Sequence, residues 1–114
     1  MIAVLFELSV EQGKEARYFD WAAELKEHLS RVDGFVSVER FQSLSRPGCY
    51  LSLSYWRDEQ CVRAWRDTSV HRAAQQAGRD GLFTDYRLRV ASVLRDYGLR
   101  DREQAPADSL RVLR

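Results

Sequence analysis

The sequence predicts an α+β fold in which a four-stranded antiparallel sheet carries its helices on one face. Three observations lead there. Apolar side chains alternate with period two in separate stretches, and they recur at helical spacing in a longer stretch after the first. A proline–glycine turn joins the second and third alternating stretches so closely that the two form an antiparallel hairpin. At 114 residues the chain suits one domain. A domain of this size buries only about two-thirds of its unfolded surface, so pairing with another copy helps it.

The first strand is expected over residues 2–10. Ile2, Val4, Phe6, Leu8 and Val10 form one apolar face; Ala3, Leu5, Glu7 and Ser9 form the other. Two largely apolar faces need cover on both sides, one from helices and the second from another subunit. Glu7 is the odd residue, a carboxylate in an apolar run. A turn at Gln12-Gly13 leads into a helix over 14–32, with Tyr18, Trp21, Ala22, Leu25, Leu29 and Val32 as its apolar stripe. The other side is charged, and His28 at the stripe's edge reads as a boundary histidine. Asp33-Gly34 closes the helix with a residue suited to positive φ.

Residues 35–44 alternate as the second strand, Ser45-Arg46-Pro47-Gly48 is a turn, and Cys49 to Trp56 is the third strand. Leu51, Leu53 and Tyr55 share one face of that strand; Tyr50, Ser52, Ser54 and Trp56 share the other. Asp58 is the expected N-cap of the next helix, whose inner face includes Ala64 and Trp65. Asp67-Thr68-Ser69 interrupts, and a second short helix over 70–77 ends at Gly78. A fourth strand is expected over 84–97, with Tyr86, Leu88 and Val90 opposite Asp85, Arg87 and Arg89. The domain then closes at residue 98, leaving a charged tail, 99–114, as a disordered segment or a short arm. Strand, helix, strand, strand, helix pair, strand is the split βαβ, or ferredoxin-like, order.

Charge and composition exclude several functions. The net charge of +1, from 18 basic and 17 acidic residues, supplies no field for nucleic acid or an anionic membrane. Three tryptophans without a basic stripe do not make a base-stacking surface. Nothing approaches the roughly 18 uninterrupted apolar residues of a membrane span. The apolar start IAVLFELSV lacks the basic flank and cleavage site of a secretory leader, which points to the cytoplasm. Cys49 and Cys61 are too few for a disulfide framework and are expected as free thiols. His28 and His71 have no companion cysteines at zinc-site spacing, so no metal is expected.

Five segments together resemble the antibiotic biosynthesis monooxygenase family: IAVLFELSV, VDGFVSVERFQS, LSLSYW, AWRDTSVHRAAQQAGRDG and TDYRLRVASVLRDYG. The resemblance covers roughly residues 1–98. It implies a dimeric α+β barrel, hence a homodimer, with one pocket per subunit between sheet and helices. It also implies an oxygenase that needs no cofactor and acts on a small aromatic or quinol-like molecule. The family includes haem-degrading members with an asparagine on the first strand, a tryptophan in the second helix and a histidine ten residues later. The matching positions here are Glu7, Trp65 and Gln75. Only the tryptophan is kept, and glutamine is a poor iron ligand. His71 points about 40° away from Gln75 around a helix, at about 100° per residue.

A cofactor-independent oxygenase needs a dry aromatic pocket, a base near neutral pH, and donors for a developing oxyanion. His71 has the right intrinsic pKa for the base, and Glu7 serves if desolvation raises its own. Trp65, Trp56, Phe6 and Tyr86 are candidate pocket walls, Gln75 a candidate substrate contact, and Arg40 or Arg87 candidate oxyanion donors. Each also has a structural reading: core packing for Trp65 and Trp56, a cap or carbonyl contact for His71, and a cross-strand pair with Arg89 for Glu7. The alternatives to an oxygenase are a non-catalytic, ligand-binding dimer and, less favoured, a haem protein.

Overall fold

The computed structural model describes residues 1–112. In chain order it contains β1 (Ile2–Val10), α1 (Glu15–Leu29), β2 (Phe35–Gln42), β3 (Cys49–Trp56), α2 (Glu59–Arg66), α3 (Ser69–Ala77), β4 (Phe83–Ser92) and α4 (Ala107–Val112). The strands form one antiparallel sheet in the order β2-β3-β1-β4. This is the ferredoxin-like α+β architecture, with the first strand in the interior of the sheet.

The register decides which residues share a face. Val4, Phe6 and Leu8 of β1 lie beside Ser54, Ser52 and Tyr50 of β3, and beside Val90, Leu88 and Tyr86 of β4. The helices cover the β1 and β3 part of this face, while Tyr86, Leu88 and Val90 of β4 stay exposed. Leu8 and Val10 pack with Tyr18 and Ala22 of α1 and with Leu82. Ile2 and Val4 pack against a second cluster: Leu29, Trp56, Cys61, Val62 and Trp65. Aromatic edge contacts tie the first cluster together, Phe6 to Phe83 at 5.7 Å and Tyr18 to Tyr50 at 5.5 Å. The opposite face carries Leu5, Glu7, Leu51, Leu53, Arg87 and Arg89, and α1 and α2 do not reach it.

Several boundaries depart from the sequence expectations for identifiable reasons. The helix expected over 14–32 stops at Leu29 because the chain tightens there. Arg31 and Val32 donate three residues back to His28 and Leu29, and the Ser30 hydroxyl takes the Glu27 carbonyl at 2.7 Å. In α2 the buried residues are Cys61, Val62 and Trp65, whereas Ala64 is exposed. The chain passes through Gly78 with helical φ of −62° and makes a wide turn over Gly78–Leu82. Gly81, at φ 100°, is the residue that reverses it. β2 ends at Gln42 rather than at residue 44, and Ser43 already donates to Cys49 across the hairpin. β4 ends at Ser92 rather than at residue 97, and a last backbone bond from Val93 N–H to Met1 O at 3.0 Å follows it.

The tail carries the short helix α4. Before it, Gly98 N–H donates to Asp101 O at 2.8 Å, Asp96 N–H donates to Gln104 Oε1 at 2.9 Å, and the Arg102 guanidinium lies over the Tyr97 ring. No helix of the described residues is long and apolar enough to cross a membrane.

Candidate active site

Trp65 and His71 are two chemically useful side chains that the structure brings into contact. Asp58 caps α2 by accepting from Cys61 N–H at 2.9 Å. That cap sets the helix phase so that Cys61, Val62 and Trp65 face inward onto Trp56 and Leu29. Thr68 then ends α2 and starts α3. Its hydroxyl donates to Trp65 O at 2.8 Å and accepts from His71 N–H at 3.2 Å. The two rings consequently meet edge to face, centroids 5.5 Å apart and 69° between planes. Burial pushes the His71 pKa below its usual value, and the Arg72 and Arg66 charges add to that.

The other predicted residues separate into two groups. Phe6, Arg40 and Tyr86 belong to the helix side of the sheet with Trp65, and Phe6 contacts the Tyr86 ring at 5.6 Å. Trp56 is there too, but it is 2% exposed and its indole N–H donates to Ser54 Oγ at 2.9 Å, so it is a core residue. Gln75 accepts from Arg72 Nη1 at 3.0 Å. Glu7 corrects an expectation. It lies on the face opposite Phe6 and Trp65, where it accepts from Arg89 Nη1 at 3.1 Å, and it cannot share a cavity with His71. Adjacent residues of one strand point to opposite faces, which is the physical reason. Arg87 lies on that opposite face as well.

Two depressions occur on or at the rim of this open face. One of about 240 Å³ is bordered by Glu7, Phe41, Arg46, Cys49 and Leu51. A second of about 110 Å³ is bordered by Glu7, Ser9, Arg46, Asp85 and Arg87. Both are smaller than the roughly 300 Å³ at which ordinary small-ligand sites begin. Cys49 and Cys61 are both free thiols, the first half-buried beside the larger depression.

Sequence reasoning treated Tyr18 only as part of an apolar stripe. The structure places it under α1 against β3, its hydroxyl buried beside the Arg40 side chain. Burial raises its pKa, while the adjacent Arg40 side chain works against the rise through its charge and through hydrogen bonding. Arg40 donates Nη2 to Ala22 O at 3.2 Å, while its buried Nε has no partner. A phenol inside an apolar helical stripe is the signal that could have singled out Tyr18.

Comparison with known proteins agrees with this architecture. A family model described as antibiotic biosynthesis monooxygenase matches residues 1–77. The chain is similar to the jasmonate monooxygenase of Pyricularia oryzae, 46% identical over 93 residues, covering 82% of this chain and 43% of that one. It therefore spans less than half the length of that relative. It is also similar to YqjZ of Bacillus subtilis, 30% identical over 91 residues, covering 80% of this chain and 77% of the other. Among solved structures, SnoaB of Streptomyces nogalater, a cofactor-independent oxygenase, shares the fold. Its TM-score is 0.74 at 16% identity, with 83% of this chain and 94% of that one covered.

Proposed function

This chain belongs to the antibiotic biosynthesis monooxygenase family, and from that premise we propose a cofactor-independent monooxygenase that oxidises a small aromatic or quinol-like molecule with O₂. The observation that carries the reading is the Trp65–His71 pair, a buried indole against an imidazole whose surroundings favour its neutral form. The neutral imidazole is the form that accepts a proton. Trp65 supplies an apolar wall that keeps water from the reacting carbon.

The substrate provides the electrons. His71 takes a proton from a carbon activated by neighbouring carbonyl or aryl groups, and the carbanion reduces O₂ to a peroxide bound to that carbon. Loss of water then gives a carbonyl, so R₂CH₂ + O₂ becomes R₂C=O + H₂O. One oxygen atom stays in the product, the other leaves as water, and all the electrons come from the substrate. The names of two relatives, a jasmonate monooxygenase and a cofactor-independent oxygenase, support the reaction class. They also bring jasmonate, a cyclic keto acid, into the set of compounds to test.

In this reading the protein acts as a cytoplasmic homodimer. The open sheet faces of two copies meet and bury Leu5, Leu51 and Leu53, which α1 and α2 leave uncovered. Glu7, on that face, takes no part in proton transfer.

Oxygen uptake with anthrone-type, quinol-type and jasmonate substrates tests the proposal. The expected result is uptake with at least one class, reduced about 10²- to 10⁴-fold in His71→Ala. Binding without uptake across the panel would make the protein a ligand-binding module instead.

A further inference from the structure

β4 leaves part of the helix-side face bare. Tyr86, Leu88 and Val90 alternate along this edge strand and are 59%, 52% and 46% exposed. The Tyr86 ring meets Phe6 at 5.6 Å, so the stripe carries the first aromatic cluster out into solvent. A row of large apolar side chains beside a free strand edge pairs with other chains unless something covers it.

The segment that follows β4 is ordered without a core of its own. Gly98 N–H donates to Asp101 O, Asp96 N–H donates to Gln104 Oε1, and Arg102 donates to the Gly98 and Ser109 carbonyls. Among the described residues, every hydrogen bond made by 94–112 stays within that segment. Ala105 is buried, yet Leu94 and Leu99 are 85% and 83% exposed. A helix as short as α4 does not hold by itself in water. The radius of gyration, 16.5 Å, exceeds the roughly 13 Å of a compact chain of this length, which marks a segment standing off the body.

This arm does not serve its own stripe. The bond from Val93 N–H to Met1 O carries the chain past the end of β4, and the turn locked by Asp96 and Gly98 comes after it. With the arm in that ordered shape, Tyr86, Leu88 and Val90 stay bare. A second copy brings an identical arm and an identical stripe, so two-fold pairing satisfies both at once. Because β4 lies at the sheet's edge, a segment of the other copy can pass round it to the helix side. Charge agrees: Arg95, Arg100 and Arg102 balance Asp96, Asp101 and Glu103, so the arm has no field to seek nucleic acid or an anionic membrane.

We propose that Leu94 and Leu99 of each copy's C-terminal arm dock on the Tyr86, Leu88 and Val90 stripe of the other copy, and so shut water out from the outer side of Phe6. The docking rests on the homodimer reading and adds a contact separate from the open sheet faces.

Light scattering and intermolecular NOE measurements on an equal mixture of isotope-labelled and unlabelled chains test it. The expected result is the mass of two chains, with NOEs between the methyls of Leu94 or Leu99 in one copy and those of Leu88 or Val90 in the other. Leu94→Ser combined with Leu99→Ser should raise the dimer Kd about 10-fold or more by analytical ultracentrifugation. The arm leucines are exposed, so replacing them leaves the fold of each copy intact. Leu88→Ser should weaken the dimer as well, and all three changes together should weaken it less than the product of the separate effects, because arm and stripe form one contact. A dimer without those NOEs, or with a Kd unmoved by the arm variant, overturns the docking and leaves the homodimer reading standing. A wild type that is monomeric throughout overturns both.

Discussion

The Trp65 carbonyl and the His71 amide share a single hydroxyl, that of Thr68, which donates to one and accepts from the other. Three residues of chain thus fix the angle between α2 and α3 and, with it, the contact between the indole and imidazole rings. Thr68→Ala removes the cap of α3 and should cost about 1 kcal/mol, within the roughly 0.5–2 kcal/mol span of such losses. Urea denaturation measures the cost. Thr68→Ser should recover most of it and restore the ring-current shift of the His71 protons, whereas a mutant with unchanged shifts would show that the hydroxyl does not set the ring contact.

The surroundings of His71 make stability depend on pH in a definite direction. Its folded pKa lies below the unfolded value of about 6.5. At pH values between the two, the unfolded chain holds more protons, so stability rises with pH there. The contribution is present above about pH 6.5, declines as the pH falls toward the folded pKa, and levels off below it. The denaturation midpoint should therefore drop between pH 7 and pH 5, and drop less in His71→Gln. An imidazole NMR titration should place the folded midpoint below 6.5.

Gly34 illustrates how the second aromatic cluster is closed. It has φ of 80°, its carbonyl accepts from Arg57 N–H at 2.8 Å, and an added Cβ would collide with the Cys61 sulfur. Gly34→Ala should cost more than about 1 kcal/mol, since the new side chain meets both an unfavourable φ and a buried thiol. Thermal unfolding of the single mutant checks this, with Gly13→Ala as the control. Gly13 also has positive φ but faces open space, so the difference between the two isolates the collision.

The open face of the sheet carries the dimer expectation. Light scattering at micromolar concentration should give the mass of two chains, and Leu53→Arg, at the centre of that face, should give one. A wild type that is monomeric throughout would sink the barrel. Glu7→Gln should leave the His71 titration midpoint unmoved, because the two lie on opposite sides of the sheet. Loss of its exposed pair with Arg89 should cost no more than about 1 kcal/mol.

Haemin provides a test of the ligand position. The family resemblance sets Gln75 at the position of a histidine in haem-degrading members, and its side-chain oxygen is engaged by Arg72. Titration should show no saturable Soret shift. A sharp shift abolished in His71→Ala would instead mean that His71 ligates iron from one turn earlier.

Much of the scaffold was legible from side-chain periodicity. Alternation identified the two faces of β1, β3 and β4, and the predicted Asp58 cap is present, because both depend on residues within a few positions of one another. Helix and strand ends were less legible. Nothing in Gly78 or Gly81 alone states which of them takes positive φ, and β4 pairs to its end with a strand distant in sequence. The candidate site was the least legible. Grouping Glu7 with Trp65 ignored the alternation that had already put Glu7 and Phe6 on opposite faces. The meeting of Tyr18 and Arg40 depends on α1 lying across β2 and β3, a proximity no local pattern encodes.

The strand order has a consequence for biogenesis. β1 is made first, yet both of its neighbours are made much later, β3 over Cys49–Trp56 and β4 over Phe83–Ser92. Until they emerge from the ribosome, the segment IAVLFELSV has two unpaired edges and a largely apolar surface, a natural target for chaperone capture or misassembly. Its native contacts span long stretches of sequence, which slows their formation. Yield in the cell should therefore be limited by how long this opening segment waits for residue 92.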